Sequence, residues 1–165
     1  MGFHAGDMVM HWNFGIGQVI GQEERILSGS KFTYYEVQIK NAIIWVPVDS
    51  KSGSRLRLPI SRSEFKQLLV TLSSPGKPLS ENRFERRTRL MALLKDNSTE
   101  SLCQIIRELS AYQKNHLLNE NDRSFLKQAR NALLGEWEVV LSISCAQAEF
   151  ELYRLLAAKP LEIVE

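Results

Sequence analysis

The sequence predicts an α+β protein: a small Tudor/SH3-like β-barrel over residues 1–60, followed by a compact α-helical bundle over residues 61–165. Two observations carry this reading. Across residues 1–60, short β-branched and apolar runs are separated by Gly-, Asn- and Ser-containing breaks, the pattern of a pleated, half-buried surface. From Ser61 onward the apolar spacing changes from period 2 to period 3.6. At 165 residues, 44% of them hydrophobic, the chain can form one ordinary domain or two small ones with real cores.

Met8-Val9-Met10 and Gln18-Val19-Ile20 read as the first two strands. Gly15-Ile16-Gly17 reads as the turn between them, where glycine accepts backbone angles that strain a Cβ. Gln22 to Arg25 extends the second strand, and Leu27-Ser28-Gly29-Ser30 is a polar turn. Phe32 to Ile39, dense in aromatic and β-branched residues, supplies the third strand, and Ala42 to Val48 the fourth. Pro47 lacks a backbone donor, so that strand ends there or lies at an edge. Arg55 to Leu58 supplies a short fifth strand.

Ser61 to Leu72 opens with a Ser-x-x-Glu capping box, Ser61 and Glu64, and aligns Phe65, Leu68, Leu69 and Leu72 on one face. Residues 73–78, SSPGKP, read as a flexible turn. A second helix runs from about Glu81 to Lys95. The third, Thr99 to Tyr112, is capped by Ser98 or Asn97 and carries a stripe of Leu102, Ile105, Ile106, Leu109 and Tyr112. The fourth begins near Asn121 with Phe125, Ala129, Leu133, Trp137 and Val140. The last, Cys145 to Ala158, shows Ala148, Leu152, Leu155 and Leu156.

Several function classes are excluded at this level. No apolar run approaches the ~18 residues of a membrane span, and MGFHAGD lacks the basic start and apolar run of a secretory signal. Cys103 and Cys145, far apart in helical patterns, fit a reduced, cytoplasmic protein with both thiols buried. His4, His11 and His116 are scattered and no Cys/His spacing suits zinc, so no metal and no cofactor is expected. Glu23-Glu24 and the pair Glu136 and Glu138 read as solvated surface. No constellation points to an enzyme.

The net charge of +2 is unevenly placed: residues 75–130 carry 11 Lys/Arg against 7 Asp/Glu, and residues 131–165 carry 2 against 6. Most of the basic excess lies at the start of the second helix, in Arg83, Phe84, Glu85, Arg86, Arg87 and Arg89. At ~100° per residue, Phe84, Arg87, Met91 and Leu94 share one stripe. Two readings fit. Phe84 is the first core residue with the arginines as a solvated rim, or the helix start projects past the core. In the second case guanidinium groups bind phosphates and the aromatic wedges against an unstacked base. Trp45 is either barrel core or an interface anchor, and Arg25 either a solvated charge or the partner of an acidic surface.

With these residues in view, the chain resembles the CarD/CdnL family of bacterial transcription regulators over nearly its whole length. The stretch GDMVMHWNFGIGQVIGQEE, residues 6–24, is similar to the polymerase-interacting module that the family shares with the transcription-repair coupling factor. Tyr34-Tyr35 and Val46-Pro47 resemble later strands of that module. Arg83-Phe84-Glu85-Arg86-Arg87 and the string FLKQARNALLGE, residues 125–136, resemble the family's helical bundle.

The resemblance implies a barrel that docks on the β subunit of bacterial RNA polymerase by strand pairing at a sheet edge, with Arg25, Trp45 and Tyr35 on the docking side. It implies a helical domain that contacts double-stranded promoter DNA at the upstream edge of the transcription bubble through Phe84, Arg83, Arg86, Arg87 and Arg89. The family's wedge tryptophan falls on Phe84, which keeps a flat face but loses the indole N–H, so a weaker or altered effect on open-complex lifetime is expected. Trp45 falls near a family arginine of the docking surface. The expected protein is a monomeric, non-enzymatic initiation regulator. The alternatives are a docking adaptor or antagonist without wedge activity, and a general Tudor-like protein-binding module.

Overall fold

The computed structural model describes residues 2–48 and 56–158. The strands are β1 (Met8–His11), β2 (Gly15–Leu27), β3 (Ser30–Ile39), β4 (Ala42–Pro47) and β5 (Leu56–Arg57). They form one antiparallel sheet in the order β4-β3-β2-β1-β5. The helices are α1 (Arg62–Leu69), α2 (Arg83–Asp96), α3 (Thr99–Gln113), α4 (Glu120–Leu141) and α5 (Cys145–Ala157). The architecture is the predicted α+β arrangement of a small β domain followed by helices. Arg55, the expected start of the fifth strand, lies outside the described residues.

The first hairpin differs from its prediction. Gly15-Ile16-Gly17 is strand, paired with His11, Met10 and Val9, and the connection is Trp12-Asn13-Phe14. The imidazole of His11 holds that connection, its Nδ1 accepting from the backbone N–H groups of Asn13 at 3.0 Å and Phe14 at 3.2 Å. Gly17 serves close approach instead of a turn. A Cβ there would stand 2.7 Å from Val37 Cγ1 and 3.0 Å from the carbonyl oxygen of Gln38. The Ser28-Gly29 loop is a true tight turn: both residues have positive φ and Leu27 pairs with Ser30.

Strand alternation fills the sheet's own core with Val9, Val19, Tyr35, Val37, Val46 and Leu56. Pro47 ends β4, which pairs with β3 alone among the described residues and is therefore an edge strand. A bulge between Val19 and Gly21 shifts the β2–β3 register.

In the helical half, Ser61 Oγ caps α1 by accepting from Glu64 N–H at 3.2 Å. The expected helix to Leu72 tightens after Leu69 into a 3-10 turn, Val70–Ser73. Asn82, Ser98, Asn119 and Ser144 cap α2 to α5, the last two through full capping boxes. The 73–78 stretch is tied to α3: Arg107 Nη1 donates to the Leu72 carbonyl at 2.8 Å. A Cβ on Gly76 would meet the Arg107 carbonyl oxygen at 3.1 Å. Trp137, Leu133, Ala129 and Phe125 of α4 pack with Leu102, Ile105, Ile106 and Leu109 of α3 around Phe65 and Leu72.

The two halves share an interface. Met10 of β1 belongs to the helical core. Gly15 lies against Ala132, and Gly135 lies so close to Ile16 that a Cβ would stand 2.6 Å from its Cγ2. Above this contact, Glu136 is 0% exposed, against the sequence expectation of a solvated carboxylate. It accepts from Arg57 Nη1 at 2.7 Å and Nη2 at 2.9 Å, from Ile60 N–H at 3.1 Å and from Thr99 Oγ1 at 2.9 Å. Arg57 Nε donates to the Asn97 carbonyl, and Asn97 Nδ2 donates to the Met10 carbonyl at 3.1 Å. A buried carboxylate is stable only when so fully matched. Here the matching groups come from both halves and fix their mutual orientation.

Candidate functional site

The start of α2 is built before it is presented. Asn82 Oδ1 accepts from the N–H groups of Phe84 at 3.0 Å and Glu85 at 3.1 Å. Ser80 Oγ accepts from Asn82 N–H and donates to Glu85 Oε2 at 2.7 Å. On this ordered turn Phe84 is 79% exposed. It lines an open groove with Thr88, Arg89, Ala92 and Leu93 on one side, and a second cleft with Arg83, Arg87 and Asn119 on the other. Phe84 thus stands on a ridge between two concavities.

That placement removes the core reading of Phe84. The buried stripe of α2 is Arg86, Leu90 and Leu94, a strict i, i+4, i+8 row; Met91 is partly buried, and Phe84 and Arg87 lie outside it. The stripe is rotated from the expected one because a polar contact sets the first turn.

The arginines divide into two groups. Arg83 and Arg87 are exposed. Arg86 is 4% exposed, so its expected role as a DNA contact is corrected. Its Nε and Nη2 donate to the two oxygens of Asp122 at 2.9 and 3.0 Å, and its Nη1 to the carbonyls of Ser80 at 3.0 Å and Glu81 at 3.3 Å. Its guanidinium also lies 4.9 Å from the Tyr112 ring centroid. The hydrogen bond to Asp122 holds the Arg86 pKa above its ordinary value, against the opposing effect of burial. Arg89 is also exposed, 41% at its side chain, and its Nε and Nη2 both reach Glu108 Oε1 at 2.8 Å. The Arg86 fork, spent on both oxygens of a buried carboxylate, is not offered to a phosphate, whereas Arg89 shares one Glu108 oxygen and stays exposed to solvent.

On the sheet, two of the three expected docking residues meet. Trp45, 45% exposed on β4, carries the Arg25 guanidinium 5.0 Å from its ring centroid, and Arg25 Nη2 lies 3.4 Å from Glu23 Oε2. The third is corrected. Tyr35 is 5% exposed in the sheet core, its hydroxyl accepting from Phe3 N–H at 3.1 Å and its ring set edge-on to Phe3. Strand parity turns Tyr35 inward with Val37.

The residues missed in the sequence are Asp122, Glu136, Arg57 and Asn97. Asp122 had a readable signal, the capping-box spacing from Asn119. Glu136 had none, because its partners lie 37 and 79 positions away. Among the described residues no group of His, Cys, Asp and Glu could hold a metal ion, and no helix is long and apolar enough to cross a membrane.

Comparison with protein-family models agrees with this division into a sheet and a bundle. The model described as the CarD-like/TRCF RID domain matches residues 3–57, and that described as the CarD C-terminal domain matches residues 67–153. The two matches are collinear, lie on either side of the sheet–helix junction and include both the Arg25–Trp45 contact and the Phe84 ridge, so the chain belongs to the CarD/CdnL family.

Proposed function

We propose that this chain docks on the β subunit of RNA polymerase through its sheet and sets the start of α2 against promoter DNA at the upstream edge of the transcription bubble. Membership of a non-enzymatic family of polymerase-interacting transcription regulators supports the general part of this reading. The β4 edge supports docking by strand addition, with Arg25 and Trp45 beside it as a preorganised cation and anchor. The observation that carries the DNA part is Phe84, an exposed aromatic on a rigid helix start flanked by Arg83 and Arg87.

The charge arithmetic explains why docking is needed. With Arg86 buried against Asp122 and the exposed Arg89 engaged by Glu108, Arg83 and Arg87 are the exposed cations of the cluster that no described carboxylate pairs. Two neutralised phosphates give a salt slope of about −1.8 in log–log form, roughly a tenfold affinity change between 50 and 200 mM salt. That is far below the hold of an autonomous DNA-binding domain. A polymerase-bound sheet supplies the missing part by raising the local concentration of the ridge.

The test is the lifetime of promoter open complexes with the cognate polymerase and the full chain. Phe84→Ala should shorten the lifetime relative to wild type while polymerase binding stays intact, because Phe84 makes no buried contact to lose. Arg25→Glu should weaken polymerase binding itself. The loss of an indole N–H at position 84 favours a second reading, an adaptor that docks without wedging. An unchanged lifetime with Phe84→Ala and normal docking would establish that reading in place of the first.

A further inference from the structure

We infer that Arg86 and Asp122 form a positioning pair that presents Phe84, Arg83 and Arg87 to DNA while neither residue touches it. This deepens the wedge reading and rests on it. One guanidinium joins three pieces of chain. It reaches back to the carbonyls of Ser80 and Glu81 before the N-cap, sits within the first turns of α2, and crosses to the third residue of α4. Asp122 is itself held, its Oδ2 accepting from Asn119 N–H at 3.2 Å to close the α4 capping box. The pair is buried on both sides, so the helix start is pinned at a point two residues from Phe84.

A second brace acts on the same segment. The Tyr112 ring beneath Arg86 stacks on His116 at 4.1 Å with 6° between planes, and His116 Nε2 lies 3.2 Å from Glu81 Oε1. Residues 80–82 are thus gripped through both backbone and side chain. An exposed aromatic exerts force on a base step only if its own backbone does not yield, and the pair supplies that stiffness.

The distinction from a direct contact is testable because the two accounts give opposite signs. Asp122→Asn removes a negative charge near the ridge, so an electrostatic account predicts tighter DNA contact and a longer open-complex lifetime. The positioning account predicts a loss, on the order of tenfold for residues coupled in one buried network. Arg86→Lys keeps the cation but cannot reproduce the planar fork. A charge contact would survive this change, whereas positioning would be lost.

The experiment uses full-length chain with polymerase and promoter DNA, and compares both variants with Arg87→Ala. The expected result is a shorter lifetime for Asp122→Asn and Arg86→Lys with an unchanged salt slope, against a slope reduced by about 0.9 for Arg87→Ala. Amide hydrogen exchange on the free chain gives a readout independent of DNA: residues 80–88 should lose protection in both variants while β1 to β3 keep theirs. Native exchange together with a lifetime equal to or longer than wild type in Asp122→Asn would overturn the pair's role. If wild-type chain leaves open-complex lifetime unaltered, the wedge reading fails, and the exchange comparison still decides whether the pair stiffens the ridge.

Discussion

Glu136→Gln is the sharpest test of how the two halves are joined. The carboxylate accepts two hydrogen bonds from Arg57, one from Ile60 N–H and one from Thr99 Oγ1, with its side chain fully buried. Glutamine keeps the shape but offers one acceptor oxygen and turns an amide donor toward a guanidinium donor. Breaking a fully buried pair from one side costs about 3–5 kcal/mol. Arg57 retains 21% exposure, so water recovers part of this and about 2–4 kcal/mol is expected. For a chain of this length each kcal/mol lowers Tm by roughly 2–4 °C. Loss of 3 kcal/mol therefore lowers Tm by roughly 6–12 °C. Thermal and urea unfolding should be followed by helix ellipticity for the bundle and by amide exchange in β1 to β3 for the sheet, because Trp137 in the helical core and Trp45 on the sheet mix in a fluorescence signal. The two signals should also separate in the variant, the sheet melting apart from the helices. A Tm within 2 °C of wild type, with coincident transitions, would refute the view that this carboxylate holds the interface.

Three further outcomes are expected. Gly17→Ala places a Cβ 2.7 Å from Val37 Cγ1 and 3.0 Å from the Gln38 carbonyl, so it should destabilise the protein by about 1–3 kcal/mol in urea unfolding; a neutral result would show that β3 can yield. The Asp96 carboxyl is held below its ordinary range by hydroxyl donation from Ser101 and Ser98, both at 2.7 Å. A depressed folded pKa stabilises above the unfolded value and is lost as pH falls through the folded one. Asp96→Asn should therefore be less stable than wild type at pH 7, and that gap should close below about pH 4. Thiol labelling should count one reactive cysteine in the native protein. Burial pushes the Cys103 thiol up to about 12. Against the expectation of two buried thiols, Cys145 is exposed, with a pKa raised by desolvation and then by Glu138 and Glu149, so it should react, more slowly than a free thiol and faster as pH rises.

The readable parts of this chain were those governed by neighbours in sequence. Ser61, Ser98 and the β4 terminus at Pro47 follow from caps and breakers acting within a few residues, and the α3 stripe from Leu102 to Leu109 follows from helical period alone. The errors share one cause. Gly15 and Gly17 signal a turn by composition, yet Gly17 is demanded by the closeness of β3, which no local pattern encodes. Tyr35 looked like a docking aromatic until strand parity turned it inward.

The arginine cluster shows where the division lies. The sequence by itself determined that four arginines and a phenylalanine would open one helix, because residue order and helical geometry are local properties. Only the tertiary structure decided their roles. Asp122, 36 positions away, captures Arg86, Glu108 engages Arg89, and Arg83, Phe84 and Arg87 remain facing outward. The physical reason is desolvation. A guanidinium can be buried only where a carboxylate and carbonyls replace its water, and which side chains stand there is settled by packing between helices.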